Sequence, residues 1–437
     1  MEAYDHYSSE GTPWGLSFPN HWQRSKLGRI TSKIGSGATP KGGKTVYLDS
    51  GKVALIRSLN VHDEGFRYED LAFIDDEAAA QLNSVSVLDN DVLLNITGAS
   101  ILRTTLAPRD VLPARVNQHV SILRPTDDVN PGYLHAWLAS PQMHRYMYSQ
   151  SVGSTREAIT KAQLQGFPIM LPLKPEQDAI VAFLDAKTAE IDGVVEGLVR
   201  QRELLERYKR ELIAHTVTKG LDPEAPMKES GLQWIGEIPE AWQIQTLSNM
   251  TDENKTKNKD LSESNLLSLS YGSIIRKDIN LVFGLLPASF DAYQIVNPGY
   301  VVLRMTDLQN DKRSLRSGYV SERGIITGAY IGLIPRAQID PRLLGWMMRA
   351  YDLKKIFYGL GSGVRQSLNY SELRKLPTLL PPLREQEEIA DYLDSKTAEI
   401  DGLITDLDRQ VELLGKYRKQ VINDVVTGKV RVSEEAA

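Results

Sequence analysis

The sequence predicts an α+β protein built from two tandem copies of one plan, a mixed module followed by a long coiled-coil helix. Three observations predict it. The stretch from Glu176 to Thr218 returns at Glu385 to Thr427 with a constant offset of 209, and Lys187-Thr-Ala-Glu-Ile-Asp-Gly193 is repeated letter for letter at Lys396 to Gly402. In each copy an apolar residue recurs every seventh position: Leu184, Ile191, Leu198, Leu205, Leu212, and then Leu393, Ile400, Leu407, Leu414, Val421. Five heptads describe a coiled-coil seam. Finally, Gly11, Trp14, Pro19, Trp22 and Leu27 recur as Gly231, Trp234, Pro239, Trp242 and Leu247, all 220 apart. A period above about 200 residues is a duplication of whole domains, not a solenoid repeat of roughly 20–50 residues.

The chain is expected to divide as follows. Residues 1–174 form a first module, 175–220 a first helix, 221–227 a Pro-containing linker, 228–380 a second module, 381–428 a second helix and 429–437 a disordered tail. In the first module Val53–Ile56, Asp91–Thr97 and Val120–Leu123 read as strands, and Gly35–Gly43 reads as a loop. Asn130-Pro131 opens a helix through Trp137 to Tyr148, because Asn caps well and Pro suits the first turn. In the second module Leu266–Leu269, Tyr300–Arg304 and Tyr330–Ile334 read as strands, and Asp340-Pro341 opens a helix through Trp346 to Phe357. Strands mixed with a few helices make an α+β module. The two long helices should pair. Each also carries a mixed second seam: Ile180, Lys187, Val194, Gln201, Tyr208, and Ile389, Lys396, Leu403, Gln410, Tyr417. Lys and Gln stand at the same two levels in both, and polar seam residues fix register and partner.

Composition sets the outer limits. The 437 residues are 41% hydrophobic and 24% charged, as in ordinary globular proteins. With no cysteine, disulfides and thiolate metal sites are excluded and an intracellular compartment is permitted. No run is apolar enough to span a membrane and no signal-peptide pattern opens the chain. The net charge of −5 is unevenly spread: 0 over residues 1–174, −4 over 175–227, +4 over 228–380 and −5 over 381–437. That pattern fits modules able to meet phosphate and acidic helices that meet protein.

Catalytic signatures are weak. Gly37 to Thr45 resembles a phosphate loop, but five residues separate Gly37 from Gly43-Lys44-Thr45 where a P-loop has four, and no helix opening follows. Asn130-Pro-Gly-Tyr133 and Asn297-Pro-Gly-Tyr300 resemble the Asn-Pro-Pro-Tyr motif of adenine methyltransferases. Without a cofactor loop they read instead as a helix cap and a turn. The seven histidines show no metal-ligand spacing. Catalysis by this chain, and any metal site on it, are not expected.

What remains is polar and basic residues on module loops. Arg156 and Arg365 coincide under the 209 offset in Gly/Ser loops, where they suit phosphate or a structural carbonyl equally. Arg304, Arg313 and Arg316 crowd one span of the second module and could reach guanine. Asn95, Thr97, Arg103, Asn117 and Gln118 flank strand ends in the first module, where Asn and Gln can read adenine or simply shape a turn. Thr39 and Lys41 in the Gly-rich loop and Arg57 behind the first strand complete the candidate set. The ten residues of the apolar seam are the candidate helix-pair and partner interface.

With these motifs in place, the sequence resembles the specificity subunits of type I restriction–modification systems. The resemblance rests on Trp14, Pro19 and Trp22, the Gly35–Pro40 loop, and Asn117-Gln118-His119-Val120 with Arg124-Pro125. Leu171-Pro172-Leu173 with Glu176-Gln177, and Leu380-Pro-Pro-Leu-Arg-Glu-Gln386, complete it. The second module departs from the pattern, with Thr327-Gly328-Ala329 where Asn-Gln would stand. The resemblance implies two target-recognition domains, each reading half of a bipartite asymmetric DNA site, joined by two antiparallel spacer helices with pseudo-twofold symmetry. It implies no cofactor on this chain. Two modification subunits would bring S-adenosylmethionine for adenine-N6 methylation, and two restriction subunits, with ATP and Mg, could join them in a prokaryotic cytoplasm. The helix pair would act as a ruler holding half-sites about 34 Å or more apart. The reading of a different class is a coiled-coil scaffold that organises partner proteins and never reads bases.

Overall fold

The structure is a computed structural model and describes residues 3–9, 16–151, 158–278, 289–308, 315–359 and 367–432. The chain divides into two compact units. One comprises residues through Leu198 with those from Arg409 onward, and the other is Val199–Asp408.

The first module begins with β1 (Gln23–Lys26) and β2 (Thr31–Ser36). It continues with β3 (Val53–Ile56), β4 (Ala72–Ile74) and β5 (Ser86–Val87). Next come β6 (Val92–Asn95), β7 (Thr104–Leu106), β8 (Ala114–Val116) and β9 (Val120–Pro125). Strands β2 to β9 build two four-stranded sheets, β7-β6-β9-β2 and β4-β3-β8-β5. The first is antiparallel throughout; in the second β3 and β8 run parallel. All four residues of β3 and of β6 are buried. The reason is visible in β6: Val92 and Leu94 face the core shared with the helices, whereas Leu93 faces the core shared with β3 and β8. A strand covered on both faces reads as a continuous apolar run rather than an alternating one.

Asn130 caps α1 (Pro131–Ala139), its side-chain oxygen accepting from the N–H of Gly132 at 2.7 Å and Tyr133 at 3.4 Å. The single helix expected to reach Tyr148 is two, because Ser140 is extended and Pro141 starts α2 (Pro141–Ser151). Pro lacks the N–H the first helix would need and pushes its predecessor out of the helical region. The module closes with β10 (Pro168–Leu171), paired with β1, and the chain enters α3 (Lys174–Lys219).

The second module repeats this order. It contains β11 (Gln243–Thr246), β12 (Thr251–Glu253), β13 (Leu267–Ser270) and β14 (Ser273–Arg276). These are followed by β15 (Gln294–Val296), β16 (Val301–Leu303), β17 (Ser317–Tyr319), β18 (Gly324–Ile326) and β19 (Ile331–Pro335). Its sheet β17-β16-β19-β12 has the same order as β7-β6-β9-β2. A parallel bridge from Leu266 to Ile325 matches the parallel β3–β8 pair. Asp340 caps α4 (Pro341–Leu353), β20 (Pro377–Leu380) pairs with β11, and α5 (Leu383–Val426) follows. Asn297-Pro-Gly-Tyr300 is a turn into β16, with Gly299 at φ +90.

The Glu-Gln signature is explained by contacts that occur in both units. Glu176 accepts from the Trp22 indole at 3.0 Å, and Glu385 from the Trp242 indole at 3.0 Å. Gln177 is buried; it accepts from the Asn130 N–H at 2.9 Å and donates to the carbonyls of Pro172 (3.0 Å) and Asp128 (3.3 Å). Gln386 does the same with the Asp340 N–H (2.7 Å) and the carbonyls of Pro381 (2.8 Å) and Gln338 (3.1 Å). One amide thus ties the helix start to the cap of the module helix. The same tryptophans meet the far end of the other long helix. A Cβ on Gly220 would lie 3.3 Å from Trp242, and one on Gly428 3.3 Å from Trp22. Both glycines have positive φ, as a helix C-terminal stop requires.

In the first unit the N-terminal part of α3 accompanies the C-terminal part of α5, and in the second unit the reverse holds, so the helices are antiparallel. The apolar seam of Leu184, Ile191, Leu198, Leu205 and Leu212 with Leu393, Ile400, Leu407, Leu414 and Val421 is buried or half-buried at every position. The second seam is corrected. Val194, Tyr208, Leu403 and Tyr417 are 43–52% exposed, so that row flanks the pair instead of filling it. The inner second row lies one residue later, at Thr188, Val195, Arg202, Lys209 and Thr397, Ile404, Val411, Arg418, all buried or half-buried. Its cations lay their stems inward and pair across the helices. Arg418 meets Asp192 at 3.2 Å in the first unit, and Lys209 meets Asp401 at 2.6 Å in the second. These two pairs are one interaction under the 209 offset. Among the described residues no helix is long and apolar enough to cross a membrane.

Candidate nucleic-acid interface

The first module gathers most of its candidate residues at one end of its two sheets. The parallel strands β3 and β8 finish at Ile56 and Val116, and the Asn117 N–H donates to the Ile56 carbonyl at 3.1 Å. The Ile96 N–H, just past β6, donates to the His119 carbonyl at 2.9 Å, and the Gly37 N–H to the Asn117 carbonyl at 3.1 Å. Gly37 is obligatory here, since a Cβ would fall 1.7 Å from the Val116 carbonyl oxygen. That approach draws the Gly-rich loop, with exposed Thr39 and Lys41, onto the strand ends.

Asn95 and Asn117 depart from the expectation that they face bases. Asn95 is fully buried and donates to the Ser58 carbonyl at 2.9 Å and to the Ser100 hydroxyl at 3.2 Å. Asn117 is 5% exposed, and its side-chain oxygen accepts from the His119 N–H at 3.0 Å, closing its own turn. Both organise the end of the sheet, as Asn in turns commonly does. Gln118, half-buried, donates from Nε2 to His119 Nε2 at 2.9 Å. His119 then carries its proton on Nδ1 and donates it to the Thr97 hydroxyl, whose own hydrogen is left to point elsewhere. His119 belongs to the Asn117-Gln118-His119-Val120 motif but is not among the candidate contacts.

Arg57 is held at this end by its N–H bond to the Asn60 side chain at 3.1 Å, and its guanidinium lies 5.4 Å from the centre of the Tyr47 ring. One guanidinium nitrogen donates to the Asp70 carbonyl, while the buried Nε has no partner among the described residues. Tyr47, Arg57 and Tyr68 line one open cleft, and Tyr68 is 53% exposed. An aromatic wall with an arginine suits stacking and phosphate contact. Arg103, on the hairpin after β6, is half-buried, and its guanidinium makes no hydrogen bond among the described residues.

The second module differs at each of these places. Arg316 was expected among the base contacts, but it is fully buried. Its guanidinium donates to the carbonyls of Arg304 (3.3 Å), Thr306 (2.8 Å) and Asp307 (3.1 Å) and to the Tyr358 hydroxyl (3.2 Å). It is a structural arginine that pins the loop after β16. Arg304 is half-buried on the same loop and already engaged. Arg156, Arg313 and Arg365 lie outside the described residues. The turn between β18 and β19, where Asn117 has its counterpart, is built by another amide: Gln294 donates to the carbonyls of Thr327 (3.2 Å) and Tyr330 (2.7 Å). Tyr271, in the turn between β13 and β14, is 78% exposed and was not anticipated. Among the described residues no group of His, Asp or Glu could hold a metal ion.

Residues 19–193 match the family described as the type I restriction modification DNA specificity domain. The putative type I restriction enzyme MjaX specificity subunit of Methanocaldococcus jannaschii is 22% identical over 429 residues, covering 95% of each chain. The StySPI specificity subunit of Salmonella potsdam is 20% identical over 94% of this chain and 90% of its own. Among solved structures, a chain from a study of complex assembly and conformational transition of a type I restriction–modification system covers 95% of this chain with a TM-score of 0.68 at 15% identity. The HsdS subunit of Thermoanaerobacter tengcongensis covers 97% with a TM-score of 0.53 at 16% identity. Sheets and helix pair are those of a two-module fold shared with these solved structures. Over residues 19–193 the chain matches the DNA specificity domain of type I restriction–modification systems, and over nearly its whole length it is similar to the specificity subunits of such systems.

Proposed function

We propose that each module reads one half of a bipartite, asymmetric DNA site and that the chain directs partner subunits to it without catalysing a reaction itself. One observation carries the reading: the frame is duplicated and the strand-end loops are not. The sheet order, the Trp–Glu and Gln staples and the cross-helix ion pair repeat, whereas Asn117-Gln118-His119 faces Thr327-Gly328-Ala329. Two like frames with unlike reading loops are what an asymmetric two-part site requires.

In this reading the partners are two modification subunits that bring S-adenosylmethionine and methylate adenine N6, joined by ATP- and Mg-dependent restriction subunits. The helix pair offers them equivalent apolar ground in each unit. Val194, Leu413 and Tyr417 are exposed in the first, and Leu403, Leu204 and Tyr208, their counterparts 209 residues away, in the second. Exposed apolar residues grouped on a polar helix surface mark protein contact. With partners supplying much of the phosphate neutralisation, the net charge of −5 is no obstacle to DNA binding.

The test is adenine-methylation mapping of a host genome that expresses this chain with its modification subunit. A new two-part motif with a fixed gap is expected, and exchanging residues 228–380 for another such module should change one half only. Unmodified DNA from a folded, partner-bound complex would overturn the reading.

A further inference from the structure

A cavity between module and helix pair occurs once in each unit, and the two copies are furnished differently. The first, of about 360 Å³, is lined by Asp63, Glu64, His135, Asp185, Asp192 and Arg418. The second, of about 380 Å³, is lined by Lys209, Arg342, Trp346, Arg349, Asp394 and Asp401. Asp185 and Asp394, Asp192 and Asp401, and Arg418 and Lys209 are equivalent under the 209 offset. Counted from the caps Asn130 and Asp340, the module helices place Gly132, Ala136 and Ala139 where the second unit has Arg342, Trp346 and Arg349.

In the second unit the protein's own side chains engage the carboxylates of the cavity wall. Arg342 bonds Asp391 at 2.6 Å and Asp394 at 3.2 Å, and the Trp346 indole donates to Asp394 at 2.8 Å. In the first unit none of this exists. Ala182 replaces Asp391, and no described side chain bonds the Asp185 carboxylate. A side chain at Gly132 would have to displace Val181, since its Cβ would lie 2.8 Å from Val181 Cγ1. Two further carboxylates, Asp63 and Glu64, stand on a turn whose counterpart at Gly272-Ser273-Ile274 is uncharged. The sign of the cavity therefore inverts. Four carboxylates and one arginine line the first cavity, with Asp63 accepting from the Thr104 N–H at 2.9 Å and Asp192 paired with Arg418, while two carboxylates and three cations line the second. His135 adds no positive charge: burial pulls its pKa to about 4, and its buried Nδ1 has no partner among the described residues.

We propose that the first-unit cavity binds an alkyl guanidinium or alkylammonium group, which occupies the place Arg342 and Trp346 fill in the second unit. Its volume is near the lower end of the roughly 300–1,000 Å³ of small-molecule sites. The group can belong to a free polyamine-like cation or to an arginine or lysine side chain of a bound partner chain. The site would serve in either case without regard to which DNA bases the modules read.

The test is calorimetric titration of the full chain with agmatine at low ionic strength. One saturable site is expected. Asp185→Asn, a substitution on an exposed carboxylate, should weaken it several-fold, and Ala136→Trp should abolish it by copying the second unit. Circular dichroism checks that both variants are folded. Absence of saturable heat with the wild-type chain, or equal binding by wild type and Asp185→Asn, overturns the inference. If the modification subunit displaces agmatine and Asp185→Asn weakens assembly, the natural group is a partner side chain. If agmatine binds the assembled complex equally well, it is a free cation.

Discussion

Replacing Gln386 by Met should destabilise the second unit far more than its volume suggests. The substitution keeps length and apolar bulk but removes three hydrogen bonds, from the Asp340 N–H (2.7 Å) and to the carbonyls of Pro381 (2.8 Å) and Gln338 (3.1 Å). Gln386 is 1% exposed, so water cannot readily replace the lost partner. At about 1 kcal/mol for each net bond, the loss is about 3 kcal/mol, and more if the orphaned groups stay dry. For a unit of this size that lowers the thermal midpoint by about 6–12 °C. Gln386→Glu sharpens the test. Its carboxylate still accepts from the Asp340 N–H but turns a second acceptor onto two carbonyls, so it should be no better than Met at pH 7. The assay is thermal or urea unfolding of the full chain followed by circular dichroism. A shift of less than about 2 °C for Gln386→Met, or wild-type stability for Gln386→Glu, would refute the staple argument.

Three other outcomes are expected. Gly37→Ala must push the Gly-rich loop off Val116, where the Cβ would be 1.7 Å from a carbonyl oxygen. Methylation mapping should show the first half of the site lost or relaxed while the second half is retained. His135 is held neutral, with its pKa near 4 against an ordinary value of 6.5. The unfolded chain therefore binds the extra proton between those values, and stability present at pH 7 falls as pH drops from 6.5 towards 4. The term amounts to at most about 3 kcal/mol at 1.36 kcal/mol per pH unit, and His135→Leu should flatten that part of the urea-midpoint profile. Finally, deleting one heptad from a long helix should change the preferred gap between half-sites, and an unchanged gap in a DNA-binding series would sink the ruler proposal.

The duplicated plan, the helix caps and the six central strands were legible in the sequence because local rules dominate there. Asn130-Pro131 and Asp340-Pro341 cap helices, and Val53–Ile56 and residues 92–94 are apolar because each strand is covered on both faces. The second helix row was misplaced for a definable reason. Steps of three and four residues from Leu184 lead to Lys187 or Thr188, and neither is apolar enough to reveal which one faces the partner helix. Contacts distant in sequence decided it. Arg316 sat in a basic run that looked like a DNA contact, yet carbonyls of its own loop and Tyr358, 42 residues on, claim its guanidinium. Pattern alone carries no information about such burial.

The exchange of amides at the turn before the last sheet strand shows why the reading loops can change. In the first module Asn117, on the turn itself, satisfies the backbone; in the second Gln294, on a neighbouring strand, reaches across to do so. The backbone demand is the same, because a strand end at that place leaves N–H and C=O groups that must be paired. Its solution comes from inside the turn in both copies, where the Thr327 hydroxyl accepts from the Ala329 N–H at 3.3 Å as the Asn117 side chain does from the His119 N–H, and in the second copy Gln294 adds bonds from outside. With Gln294 bonding the carbonyls of Thr327 and Tyr330, the second turn shares that task between its own Thr327 and a neighbouring strand. In the first turn Asn117 is committed, and variation is left to Gln118, Thr97 and the exposed Thr39 and Lys41. The helix junctions show no such exchange: Trp, Glu and Gln recur with nearly the same distances. Change is thus tolerated where backbone pairing has alternative donors, and excluded where one buried amide joins three backbone groups of separate elements.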